Sequence, residues 1–138
     1  MKFASHDCLQ LNRFYKQNKD KARAKPSDLM YGAVDDDGQT CSVLRLLAYD
    51  EFLFLRSVLT AEEFRGHGVA SALIRYAINQ QIQPIYTLPT PLALSLYQRL
   101  GFTPVNLADI PNELLASYRR FRQSTNGPTV MVIHPKVG

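Results

Sequence analysis

The sequence has few of the features that mark secreted, metal-binding or membrane proteins. Its 138 residues include only two cysteines and no tryptophan, so a disulfide framework is excluded. Cys8 and Cys41 form no metal-type cluster, and we expect reduced thiols and no bound metal. No apolar run approaches the ~20 residues of a membrane helix, and no basic stretch followed by an apolar core opens the chain. These absences predict a cytoplasmic protein that does not act at a membrane.

The composition is that of an ordinary globular protein. Apolar residues make up 46% and charged residues 20% of the chain, and the net charge is +4. A chain of this length favours a single domain, residues 1–138. The modest positive charge is compatible with nucleic acid and equally with a polyphosphate ligand, so it does not choose between them.

The residue patterns predict strands and helices that alternate in the second half, as in α/β domains. A short first strand at Phe3–Ala4 precedes a ragged helix from Asp7 to Lys19. Strands are then predicted over Leu29–Val34, Cys41–Tyr49, Glu51–Thr60, Ile85–Leu88 and Val130–His134. Helices are predicted from Val69, from Pro91 with Thr90 as its cap to Leu100, and over Pro111–Gln123.

A glycine-bearing turn stands between a strand and the helix that begins at Val69. Gly66 and Gly68 allow positive backbone angles and the close approach of a bulky anion. The backbone amides of a helix N-terminus, with the helix dipole, suit a pyrophosphate. By itself, however, Gly-x-Gly before a helix is as typical of a turn that only starts the helix as it is of an anion site.

Two motifs resemble the GNAT superfamily of N-acetyltransferases. The run Arg65-Gly66-His67-Gly68-Val69-Ala70 is similar to the R-G-x-G-[VI]-[GA] pyrophosphate motif of that superfamily. Downstream, Ala93-x-x-x-Tyr97-x-x-x-Gly101-Phe102 resembles its A-x-x-x-Y-x-x-x-G-F helix and helix end. The resemblance covers roughly residues 29 to 134. Leu55-Arg56-Ser57 and the segment after Phe102 resemble more narrowly the N-acetylglutamate-synthase-like branch.

This resemblance implies a fold, a co-substrate and a reaction. The fold would be one GNAT-like α/β domain, with a mixed central sheet splayed between two parallel strands and helices on both faces. Acetyl-CoA would bind in the splay without a metal, and a neutral amine would attack its thioester directly. The residues expected to contact acetyl-CoA are Val58, Leu59, Thr60, Arg65, Gly66, His67, Gly68, Val69, Ala70, Ser71 and Thr90. Relatives commonly carry Asn where this chain has Thr90.

The resemblance assigns the chemistry to Tyr97, which would protonate the departing CoA thiolate. The alternative is an aromatic side chain that only packs against Ala93 and Leu100. No general base is assigned, because Phe54 stands where some relatives carry Glu. The carboxylates of Glu62 and Glu63 are expected to be solvated.

Two arginines lie within apolar strands, where an unpaired charge is costly. We expect Arg56 and Arg45 either to bind a substrate carboxylate or to pair with the acidic loop Asp35–Asp37.

The expected partners are acetyl-CoA and a small amine acceptor, with no nucleic acid and no membrane. Alternatives are a catalytically silent CoA-binding regulator and a protein acetyltransferase acting on N-termini or lysines. A nucleic-acid module would use Arg119, Arg120 and Arg122, but these are more typical of a solvated helix face. Monomer and homodimer both remain open.

Overall fold

The chain folds around one mixed β-sheet. The computed structural model describes residues 1–124 and 130–136, and within these the sheet has seven strands in the order β1-β2-β3-β4-β5-β7-β6. The strands are β1 (Lys2–Ser5), β2 (Leu29–Val34), β3 (Thr40–Ala48), β4 (Leu53–Thr60), β5 (Ile85–Thr87), β6 (Thr103–Pro104) and β7 (Met131–Ile133). The helices are α1 (Cys8–Gln17), α2 (Val69–Asn79), α3 (Leu94–Leu100) and α4 (Asn112–Ser124). Only β4 and β5 form a parallel pair in this described sheet.

The helices cover both faces of the sheet, as the resemblance implied. Because strand side chains alternate, Leu44 of β3 packs against α2 and α3, whereas Val43 packs against α1. On β4, Leu55 faces α2 and α3, and Phe54 packs against Leu114 of α4. The expected α/β fold class is therefore confirmed, and the sheet centre is buried on both sides.

Local sequence signals account for most element boundaries. Asp7 accepts a hydrogen bond from the backbone N–H of Gln10, and the Gln10 side chain accepts one from the backbone N–H of Asp7, so a capping box starts α1. Gly101 ends α3 with a left-handed φ of 102°. None of the helices in residues 1–124 and 130–136 combines the length and the apolar character needed to cross a membrane.

Two expectations about elements need correction. The segment from Pro91 to Ala93 is a 3₁₀ turn, and the α-helix begins only at Leu94. Thr90 precedes this turn, but its side chain caps none of the described backbone groups. The two-residue strand β6 was not expected, because Pro104 and the short length give no strand pattern.

Candidate active site

A cleft opens where β4 and β5 stop pairing. Their parallel ladder ends at Leu55 and Thr87, whereas β4 continues to Thr60. The cleft has a volume of about 610 Å³ and is walled by β4, the loop after β5, α3 and α4. The splay predicted between the two central strands is thus present, and it reaches both faces of the sheet.

Strand β4 carries a β-bulge inside this cleft. The pairing of β3 with β4 shifts between Val43 and Arg45, so that Leu44 stands opposite both Ser57 and Val58. Ser57 has a φ of 57°, a left-handed conformation that costs a non-glycine residue about 1–2 kcal/mol. Such a conformation persists only where surrounding contacts hold it.

The turn before α2 presents backbone amides to open space. Gly66 and Gly68 have φ values of 80° and 75°, and a Cβ atom at either would meet nothing within 4 Å. The amide of Ala72 donates the first helical bond, to the Gly68 carbonyl at 3.0 Å. Helix geometry therefore leaves the amides of residues 69–71 without intrahelical acceptors. The turn is shaped for an anion.

A second cavity of about 360 Å³ lies in front of this turn. Arg65 fastens the turn to the end of β4, because its Nε donates to the Thr60 carbonyl at 3.0 Å. Arg99 of α3 lines the opposite side, and Leu96 lines both this cavity and the cleft. An elongated ligand passing Leu96 can therefore reach from the turn into the cleft.

The residues expected to contact acetyl-CoA divide between the two cavities. Those that line the turn cavity are Thr60, Arg65, Gly66, Gly68, Val69, Ala70 and Ser71. Val58 and Thr90 line the cleft instead. His67 is exposed and lines neither. The Leu59 side chain packs toward α1, which leaves only its backbone for a ligand. Their contacts with acetyl-CoA stay a prediction.

Tyr97 lies on the α3 wall of the cleft. Its side chain is 7% exposed, and its ring meets Phe102 edge to face with centroids 5.2 Å apart. Burial raises the pKa of the Tyr97 hydroxyl above its ordinary value of 10.0, and a smaller opposing effect comes from a hydrogen bond with Thr87. The phenol is therefore protonated at neutral pH and can donate a hydrogen bond into the cleft.

Arg45 does not line the cleft, and its expected pairing needs correction. Its Nη1 donates to Asp28 Oδ2 at 3.0 Å and its Nε donates to Ser57 Oγ at 3.2 Å. The side chains of Arg45 and Asp28 are 10% and 4% exposed. Its partner is therefore Asp28 and not the acidic loop Asp35–Asp37. Binding of a substrate carboxylate by Arg45 stays a prediction, which the cleft lining does not support.

Arg56 makes the cleft electropositive. Its side chain lines the cleft, and its guanidinium carbon lies 5.4 Å from the centroid of the Phe54 ring. Partial desolvation lowers the pKa of Arg56, and the positive charges of Arg45 and Arg120 lower it further. Arg120 of α4 lines the same cleft. The local potential therefore favours an anionic ligand group.

Carboxylates that could act as a base lie outside the cleft. Glu62 and Glu63 are exposed on a 3₁₀ turn, and Glu51 is exposed before β4. Among the described residues, none that lines the cleft is acidic, and no group of three or more His, Cys, Asp or Glu could hold a metal. The site therefore offers hydrogen-bond donors and positive charge.

The family assignment follows from a sequence comparison. A profile described as an acetyltransferase (GNAT) domain matches residues 26–104, which is more than half of the chain and includes the bulge, the α2 turn and Tyr97. The chain belongs to the GNAT acetyltransferases. It is therefore an acetyl-CoA-dependent N-acetyltransferase by family. No curated protein matches the chain.

Solved structures share this GNAT fold at low sequence identity. The Escherichia coli ribosomal-protein-S18-alanine N-acetyltransferase superposes with a TM-score of 0.69 at 14% identity, over 99% of this chain and 95% of that one. N-acetylglutamate synthase from Neisseria gonorrhoeae, complexed with coenzyme A and N-acetyl-glutamate, gives a TM-score of 0.68 at 11% identity, over 99% of this chain and 36% of that one. Rv2747 from Mycobacterium tuberculosis, in a complex that contains CoA, gives a TM-score of 0.67 at 14% identity, over 97% of this chain and 99% of that one. These similarities concern the fold.

Several residues of the GNAT site were missed by sequence reasoning. Arg99 gave no signal, because its place at the turn cavity depends on how α3 packs. Ser117 and Arg120 line the cleft and are three residues apart, a spacing that puts them on one face of a helix. That spacing is a usable signal, but the neighbouring Arg119 and Arg122 make the same segment resemble a solvated helix face.

Proposed function

We propose that this GNAT domain acetylates the primary amine of a small molecule that carries a carboxylate, such as an amino acid. The reaction is a direct attack of the neutral amine on acetyl-CoA in a ternary complex. The observation that carries the proposal is the cleft wall itself, where Arg56 supplies a positive charge and Tyr97 a protonated hydroxyl. A carboxylate paired with Arg56 places the acceptor within the cavity that Tyr97 lines.

The two cavities hold the two ends of acetyl-CoA, which supplies the activated acetyl group. The amides of residues 69–71, with Arg65 and Arg99, hold the pyrophosphate. The backbone of β4 beyond the bulge, from Val58 to Thr60, pairs with the pantetheine arm because β5 no longer occupies that edge. An amide donor at this edge also stabilises the oxyanion of the tetrahedral intermediate.

Tyr97 is the catalytic residue of this proposal. Its hydroxyl donates a proton or a hydrogen bond to the CoA sulfur as the bond to the acetyl carbon breaks. A free thiol has a pKa of ~8.5, below that of Tyr97, so hydrogen bonding to the developing thiolate supplies much of the effect. Water completes the protonation after the products separate.

The positive charge of the cleft partly replaces a general base. Positive charge close to a bound ammonium group lowers its pKa, which favours the neutral and nucleophilic amine. The pKa of Arg56 is already lowered, first by partial desolvation and then by the positive charges of Arg45 and Arg120. The acceptor therefore loses its proton to solvent without an assigned carboxylate, and the rate rises with pH until the bound amine is neutral.

An acceptor screen tests the proposal. Free CoA is measured with a thiol reagent while amino acids, their amides, the decarboxylated amines and peptides with free N-termini are offered in parallel. We expect amine-dependent release that is fastest with free amino acids. Faster release with peptides would transfer the proposal to a protein acceptor, the class to which the ribosomal-protein-S18-alanine N-acetyltransferase from Escherichia coli belongs by its name.

A catalytically silent CoA-binding regulator is the second candidate. It is favoured by the cleft lining, which has no acidic side chain among the described residues. Calorimetry with CoA separates the two candidates. Binding of CoA without thiol release by any acceptor class would establish the silent regulator.

A further inference from the structure

Four residues from separate parts of the chain meet at the bulge of β4. The Tyr15 hydroxyl of α1 donates to the Ser57 carbonyl at 2.7 Å. Arg45 Nε donates to Ser57 Oγ at 3.2 Å, and Arg45 Nη1 donates to Asp28 Oδ2 at 3.0 Å. Asp28 Oδ2 also accepts from the Lys25 backbone at 2.9 Å. We call Tyr15, Asp28 and Arg45 the bulge clamp.

The clamp is buried, and its hydrogen-bond donors keep their protons at neutral pH. As whole residues, backbone included, Tyr15 is 1% exposed and Asp28 and Arg45 are each 8% exposed. Burial raises the pKa of Tyr15 well above its ordinary range, so the hydroxyl stays protonated and continues to donate. Two buried opposite charges compensate each other only when their geometry is good, and the 3.0 Å contact meets that condition. The hydrogen bonds of the clamp therefore persist at neutral pH.

The hydrogen bonds of the clamp reach the cleft through Ser57. Ser57 lines the cleft, whereas Tyr15, Asp28 and Arg45 do not. Both hydrogen-bonding groups of Ser57 that the clamp engages, the carbonyl and the hydroxyl, belong to a residue in a left-handed conformation. Two separate anchors, from Tyr15 and Arg45, therefore hold one residue in a conformation that persists only where surrounding contacts support it.

We propose that the bulge clamp positions the backbone of β4 for acetyl transfer. By holding φ and ψ of Ser57, the clamp sets the direction in which Val58–Thr60 present their amides and carbonyls to the cleft. This inference rests on the proposed function, since it assigns the oxyanion donor to this stretch of backbone. Tyr15, Asp28 and Arg45 are positioning residues that touch neither substrate.

Tyr15→Phe is the sharpest test, because it removes the hydroxyl and keeps the buried ring. Tyr31→Phe is the matched control. Tyr31 is also buried, and its hydroxyl accepts from Gln81 Nε2 at 2.8 Å on the α2 side of the sheet, where it makes none of the clamp's hydrogen bonds. We expect Tyr15→Phe to lower kcat about tenfold with KM for acetyl-CoA changed less than about twofold, since small misplacements of a reacting geometry are costly. Tyr31→Phe should keep the wild-type kcat.

A second measurement does not depend on activity. Amide hydrogen exchange, followed residue by residue by NMR, should accelerate about tenfold or more at residues 57–60 in Tyr15→Phe but not in Tyr31→Phe. Thermal unfolding measured on both variants shows whether they lose similar stability. Equal loss of stability with unequal loss of kcat supports positioning, because a purely structural hydroxyl would affect both variants alike.

The outcomes separate this inference from the proposed function. Wild-type kcat in a folded Tyr15→Phe variant, in a chain that does transfer acetyl groups, overturns the clamp and leaves the proposed function intact. A proportional rise of KM with the fall of kcat overturns it as well. If the wild-type chain acetylates no acceptor, the proposed function fails, and unchanged exchange at residues 57–60 then rejects the clamp separately.

Discussion

The turn before α2 and the bulge of β4 stand at two ends of one ligand route and are built in different ways. The turn consists of consecutive residues whose backbone conformation is set by Gly66 and Gly68. The bulge is held by side chains that lie 12 and 42 residues away in sequence, on Arg45 and Tyr15. In the proposed function, a local motif thus binds the invariant part of the co-substrate, whereas the reacting end depends on contacts from distant parts of the chain. The comparison predicts that changes at the turn alter affinity and changes at the cleft alter turnover.

The largest effect is expected from Tyr97→Phe. The variant keeps the ring and its contact with Phe102, so folding and CoA affinity should persist. Loss of the hydroxyl should lower kcat by about 10²–10³, the usual range for acid catalysis. Because the pKa of Tyr97 is raised, any fall of wild-type kcat caused by its ionisation lies above pH 10.0. Steady-state kinetics across pH measure both effects.

Tyr76→Phe provides the control for that comparison. Tyr76 packs against Phe3 and Tyr31 and does not line the cleft. Equal kcat values for wild type and Tyr97→Phe would make the phenol a packing group, and water would become the acid.

The second effect concerns affinity at the turn. Gly68→Glu places a carboxylate in front of the α2 amides, and repulsion of about 2 kcal/mol from a pyrophosphate corresponds to a roughly 30-fold weaker Kd for CoA. Calorimetry measures the Kd, while kcat at saturating acetyl-CoA should change less than the Kd.

Gly38→Glu is the matched control for this prediction. Gly38 has a φ of 82°, and a Cβ atom there also meets nothing within 4 Å, so backbone strain and added charge are the same. If both variants weaken CoA equally, the effect comes from strain or net charge, and the turn is not the pyrophosphate site.

A smaller effect is expected for acceptor selection by the cleft. Arg56→Met should lower kcat/KM for an amino acid about tenfold or more, because a hydrogen bond to a charged group contributes roughly 1.5–3 kcal/mol. The same variant should leave kcat/KM for the matching amide nearly unchanged. The exposed Arg23 supplies the control Arg23→Met. Equal losses for acid and amide would show that Arg56 does not bind a carboxylate.

The smallest effect is expected at His67, inside the motif but outside both cavities. Since the side chain is exposed and the turn binds through its backbone, His67→Ala should change the Kd of CoA by about threefold or less. The Kd of CoA is measured by calorimetry for His67→Ala and for Arg65→Ala. Arg65→Ala serves as the comparison, because the Arg65 side chain donates a hydrogen bond to the Thr60 carbonyl. A loss beyond tenfold in His67→Ala would mean that the turn depends on side chains after all.

Sequence patterns predicted the elements well because their signals are local. Asp-Gly at residues 37–38 marks the hairpin between β2 and β3, and Gly101 marks the end of α3. The expected strand Glu51–Thr60 begins two residues early, because Phe52 extends the apolar run although pairing starts at Leu53. Strand β6 was not predicted, because two residues are too few to show an alternating pattern of apolar and polar side chains.

The site was predictable only where a backbone motif encodes it. The turn residues and Tyr97 lie where the two motifs imply, whereas the roles of Arg45 and Arg56 could not be separated from two apolar strands. Arg45 and Arg56 are cross-strand partners, yet only Arg45 reaches Asp28. That choice depends on the loop before β2 packing under the sheet, a long-range contact with no signature in either strand.

The bulge also changes the phase of the side-chain alternation along β4. Before it, Leu55 faces α2 and α3 and Phe54 faces α4; after it, Val58 joins the first group and Leu59 the opposite face. A strict period of two would have put Ser57 where Val58 packs. Deleting Ser57 would remove the extra residue, so the shortened strand would keep Val58 and Leu59 on their present faces, opposite Leu44 and Val43. Straightening Ser57 without shortening the strand would instead exchange the faces of every later residue, so this end of β4 tolerates the loss of one residue better than the loss of its bulge.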